Sequence, residues 1–89
     1  MEAFRRRGIL KKEGSPDIPV EVRRTTAGDF LAVENGVERM VIWPRYSPRQ
    51  VMRGDTPPMT LDAAWRTLLS KYPDYSVTAE EDLVPVQEG

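Results

Sequence analysis

The sequence predicts a small α+β domain, an antiparallel β-meander of three to four strands, flat or curled into a half-barrel, packed by one C-terminal amphipathic helix. Three observations predict it. Ile18, Val20 and Val22 alternate with Pro19, Glu21 and Arg23, the period of two of a half-buried strand. Asn35-Gly36 separates two apolar runs, and that dipeptide suits a type I′ hairpin turn, whose central residues both need positive φ. Leu61, Ala64, Trp65, Leu68, Leu69 and Tyr72 recur at the spacing of one helical stripe.

Residues 1–17 read as a basic N-terminal arm and linker. Five basic side chains fall between Arg5 and Lys12, and Glu13-Gly14-Ser15-Pro16-Asp17 has the composition of a turn. A first strand is expected over 18–24, followed by a turn in which Gly28 takes positive φ. Phe30 to Glu34 and Val37 to Trp43 then form the hairpin. Its turn sets a register: Glu34 faces Val37, Val33 faces Glu38, Ala32 faces Arg39, Leu31 faces Met40 and Phe30 faces Val41. Pro44 ends the strand because it has no amide to donate. Gln50 to Arg53 is expected as a short edge strand stopped by Gly54-Asp55.

The helix is expected over 61–72, with Thr60 as N-cap and Pro73 as the stop. The meander and helix together make a domain over 18–73. Residues 74–89 read as an acidic C-terminal tail. Within it Tyr75 to Thr78 is able to add a last strand, and Leu83, Val84 and Val86 to anchor the end.

Composition excludes much chemistry. The 89 residues contain no cysteine and no histidine, so thiolate nucleophiles, disulfides, and thiolate or imidazole metal ligands are absent. The serines have no histidine to activate them, and Glu80-Glu81-Asp82 lacks the glycine and ligand alternation of a calcium loop. No phosphate-binding or dinucleotide fingerprint occurs. The expectation is a protein that is not an enzyme and takes no cofactor or metal; a small enzyme of unrecognised type, working through carboxylate or lysine chemistry, is the remaining alternative. No apolar run approaches a membrane span, and no apolar signal segment follows Arg5-Arg6-Arg7, so a cytoplasmic location is expected.

Charge is unevenly spread. Residues 1–53 carry eleven basic and seven acidic side chains; residues 54–89 carry two basic and seven acidic. A cationic surface built from Arg5, Arg6, Arg7, Lys11 and Lys12, with Arg45, Arg49 and Arg53, would suit nucleic acid, with Trp43 and Tyr46 as aromatic faces. The simpler expectation is that arm and tail neutralise each other. The net charge of −1 lacks the positive excess of a phosphate binder.

Trp43-Pro44 closing a hairpin, then a short strand and a helix carrying Trp65, resembles the MbtH-like accessory proteins of peptide synthetases over residues 30–72. That resemblance implies a non-catalytic partner of a larger enzyme. The Gly-Trp pair of that family's following strand is missing here, and the spacing to Trp65 departs from its pattern.

The leading expectation comes from the sheet. The register above puts Leu31, Val33, Met40 and Ile42 on one face, and Phe30, Ala32, Val37, Val41 and Trp43 on the other. One helix covers one face, so arm, tail or a second chain must cover the other. At least two of these side chains, Ala32 aside, are expected to be exposed in the isolated chain and buried in its working assembly. The expected role is a protein-binding or accessory module, a small regulator or a component of an assembly such as a phage particle. Its partner is another protein or a second copy, not a membrane, and its candidate contacts are Phe30, Val37, Val41, Trp43, Arg45 and Tyr46.

Overall fold

A computed structural model describes residues 4–83, which form one open antiparallel sheet and two helices. In chain order these are β1 (Arg5–Lys11), β2 (Ile18–Arg24), β3 (Phe30–Glu34), β4 (Val37–Ile42), α1 (Pro48–Arg53), α2 (Leu61–Leu69) and β5 (Ser76–Leu83). The sheet order is β4-β3-β2-β1-β5, every neighbour antiparallel. The meander and amphipathic helix are as expected, but there are five strands, a second helix, no closure, and a strand after α2.

The segment expected as a basic arm is β1, between β2 and β5. Its alternation escapes a hydropathy reading because the inward positions are Arg6, Gly8 and Leu10, of which one is apolar in the ordinary sense. Carboxylates on the neighbouring elements meet all three arginines of the strand, the inward Arg6 included. Part of the expected acidic tail is β5, which supplies two of those carboxylates, Glu81 and Asp82. Val84 and Val86 lie outside the described residues.

The hairpin turn forms as expected, with Asn35 at φ 53 and Gly36 at φ 78. The register holds for Glu34–Val37 and Val33–Glu38, then shifts, because Ala32 faces Met40, Leu31 faces Val41 and Phe30 faces Ile42. Arg39 is the extra residue of a β-bulge. One inserted residue turns every later side chain over. Met40 and Ile42 therefore share the α2 side with Phe30 and Ala32, and Val41 faces the other way with Leu31 and Val33. Gln50–Arg53, expected as a strand, belongs to α1. Ser47 caps it reciprocally with Gln50, Pro48 begins it, and Gly54 ends it at φ 70.

α2 starts at Thr60, whose Oγ1 accepts from the Ala63 amide at 3.1 Å, and stops at Leu69 rather than Tyr72. Its stripe of Leu61, Ala64, Trp65 and Leu68 packs on Leu10, Val20, Val22, Phe30, Ala32 and Ile42. The other sheet face has no covering layer among the described residues, and the molecule is 19 Å through its thinnest direction. Gly8 makes the packing of Trp65 feasible, since a Cβ there would stand 3.2 Å from the indole Cζ2 and 3.3 Å from Cγ1 of Val77. The indole Nε1 donates to Glu80 at 2.6 Å.

Candidate functional site

The expected contact residues divide sharply. Phe30 is buried at 3% exposure under α2, so it is a core residue and not a contact. The bulge at Arg39 explains this, because it sends Val41 to the opposite face from Phe30. Val37, Met40 and Val41 are exposed on β4, a sheet edge. Trp43 is 63% exposed just past the strand. Trp65 is in the core as expected. Arg45 is exposed and Tyr46 half-buried in the loop that follows.

The basic residues divide as well. Arg5 and Arg23 share the Glu21 carboxylate, Arg6 spans Asp82 and Asp62, Arg7 meets Glu81, and Lys11 lies 3.5 Å from Asp17. Hydrogen bonding from the Arg6 guanidinium, against some burial, holds the Asp82 carboxyl below its ordinary range; the same contact raises Arg6. Lys12 sits 5.6 Å from the Tyr75 ring centroid. Arg5, Arg6, Arg7 and Lys11 of the expected cationic arm thus each have a carboxylate partner, on β5, α2, β2 or the loop before β2. Arg45, Arg49 and Arg53 differ. None of them has a carboxylate within ion-pair distance among the described residues.

Of those three, Arg49 and Arg53 lie on α1, while Arg45 lines a groove of about 510 Å³. Trp43, Pro44 and Tyr46 line it from the loop after β4, and Pro57, Pro58 and Met59 from the connector into α2. The Tyr46 hydroxyl donates to the Pro57 carbonyl and ties the two segments together. Gln50 of α1 also lines it. Paired prolines close in space to Trp-Pro and Tyr are a recognisable aromatic-proline wall, but their juxtaposition is a tertiary fact.

A second depression of about 580 Å³ lies on the open sheet face, lined by Ile9, Pro19, Val33, Arg7, Glu21 and Glu81 among others. It is larger, but its charged groups are already committed to one another. The Trp43 corner combines unsatisfied apolar surface with unpaired charge, so it is the stronger candidate. Among the described residues no three acidic side chains gather closely enough to hold a metal ion, and no helix is long and apolar enough to cross a membrane. The chain matches no protein-family model, and no curated protein or solved structure is similar to it.

Proposed function

We propose that this chain is a non-catalytic protein-binding module that offers the β4 edge and the Trp43 corner to another protein. One observation carries this reading. Val37, Met40, Val41 and Trp43 lie exposed along one sheet edge and just past its end, while seven of the thirteen basic side chains of the chain are engaged with carboxylates. An exposed edge with apolar side chains on both faces is an unusual thing for a solitary domain to keep. Tryptophan and arginine at one corner are the residue types that anchor interfaces. The absence of histidine and cysteine supports a binding role over a catalytic one.

The test is co-purification from the native source with the wild-type chain, Val41→Asp, Trp43→Ala and, on an exposed residue of α1, Met52→Asp. A protein retained by wild type and by Met52→Asp but lost from the other two supports the reading. Equal retention by all four overturns it. Light scattering on the same samples shows whether the partner is a second copy.

A second reading has its own support. Arg45, Arg49 and Arg53 are unpaired among the described residues, and Arg45 shares its groove with an exposed indole, the elements of a single-strand nucleic-acid site. An absorbance ratio characteristic of bound nucleic acid before nuclease treatment, abolished by replacing these three arginines with alanine, would favour it.

A further inference from the structure

We infer that the groove between Trp43 and Pro57-Pro58 receives an acidic, proline-containing segment of the partner protein in extended polyproline form. This inference rests on the protein-binding reading and names the chemistry of what binds.

The groove walls come first. Trp43, Pro44, Tyr46, Pro57, Pro58 and Met59 present rings and an aliphatic side chain. A polyproline helix has no internal hydrogen bonds and projects its pyrrolidine faces outward, and aromatic-lined grooves are the surfaces that take it. The groove is also pre-formed. Three of those residues are prolines with fixed φ, and the Tyr46–Pro57 hydrogen bond locks one wall to the other. A pre-formed groove and a pre-extended ligand both lower the ordering cost of association.

Charge then selects among proline-containing ligands. No carboxylate lines the groove, and Arg45 is its one charged lining residue. Gln50 turns into it from α1. At about 100° per residue, Arg53 lies between Arg49 and Gln50 around that helix, so both arginines fall within 100° of Gln50. Asp55, the next acidic residue, pairs with none of the three. Arg45 in the groove wall, with Arg49 and Arg53 next to Gln50 on α1, is complementary to carboxylates that flank prolines. Single-stranded nucleic acid fits less well. Successive bases need successive stacking faces, whereas here one ring is exposed and the other is half-buried with its hydroxyl engaged.

The test uses a fluorescein-labelled eight-residue peptide alternating proline with glutamate and leucine. The same peptide with lysine for glutamate and an oligothymidylate of similar length are the comparisons. Fluorescence anisotropy at low salt is expected to show saturable binding of the glutamate peptide alone. Trp43→Ala weakens it by roughly tenfold or more. The double substitution R49A/R53A weakens it by a few fold and flattens its salt dependence. Trp43, Arg49 and Arg53 are exposed, so the variants keep the wild-type far-ultraviolet dichroism, and a chain that keeps it is a valid test. No saturable binding, equal binding of the lysine peptide, or tighter binding of the oligothymidylate each overturns the inference. If the glutamate peptide fails while co-purification still gives a partner lost with Trp43→Ala, the protein-binding reading stands and only the ligand class is wrong. If the Trp43-dependent partner is also missing, both fall.

Discussion

Glu34 shows what a single residue does in this chain. It interrupts an apolar strand, and in the structure it is 5% exposed, with Lys71 Nζ at 2.6 Å and the Tyr72 hydroxyl donating to its other oxygen. Burial by itself would raise its carboxyl. The bonds from Lys71 and Tyr72, with the charges of Lys71 and Arg39, outweigh burial and hold it below its ordinary value of 4.5. Tyr72 is pushed up to about 12, chiefly by its bond to that carboxylate. A depressed carboxyl stabilises the fold above its unfolded pKa and loses that contribution as the pH falls through the folded value. Glu34→Gln should therefore cost about 1–3 kcal/mol at neutral pH in urea unfolding. The gap from wild type should close as the pH is lowered below 4.5. Gly8 makes an opposite demand, for the absence of a side chain. Gly8→Ala drives a methyl into an indole held by Glu80, and should cost about 1–3 kcal/mol by overpacking. Thermal unfolding of that variant would show it.

At the scale of elements, α1 and β5 carry the instructive cases. α1 buries none of its residues, so its order rests on its caps. Ser47→Ala removes half of a reciprocal cap, worth about 1 kcal/mol. Hydrogen exchange over 48–53 should quicken several fold while exchange in β2 and β3 stays unchanged; parallel loss in the strands would mean α1 is part of the global unit. β5 accommodates an extra residue opposite Gly8, and Ala79 takes φ 55 there. Left-handed backbone costs an alanine about 1 kcal/mol, so Ala79→Gly should raise stability by a few tenths to about 1 kcal/mol. β2 and the hairpin turn were legible from alternation and from Asn35-Gly36 because both are local signals. β1 and α1 were not. The inward positions of β1 are an arginine, a glycine and a leucine, and Pro-Arg-Gln-Val-Met-Arg is too short to show a helical period.

Over the whole molecule the bulge at Arg39 decides what faces the solvent. It makes Ile42 a core residue at 3% exposure and leaves its neighbour Val41 in the open at 38%. Ile42→Asp should cost several kcal/mol or prevent folding, since it buries a carboxylate without a partner. Val41→Asp should change stability by no more than about 0.5 kcal/mol. Urea titrations of the two variants side by side check the register directly. The unshifted register would instead place Val41 beside Phe30 and reverse the outcome. Val41 is open on the uncovered face, Met40 on the α2 side of the same edge strand and Trp43 just past its end, and their availability is the basis for a partner.

The sequence by itself determined the antiparallel hairpin, the strand over 18–24, the N-cap at Thr60 and the burial of Trp65, because each depends on period or on the backbone preference of a few neighbouring residues. It also determined that no thiol or imidazole chemistry is open to this chain. Only the tertiary structure decided that the arginines of β1 are spent on the acids of β5, α2 and β2, that Trp43 is outside, and that Pro57 and Pro58 stand opposite it. Ion pairing between residues some seventy positions apart, and the turning over of a strand by one inserted residue, leave no local mark. They follow from which elements lie side by side, and that is settled by packing the whole sheet at once.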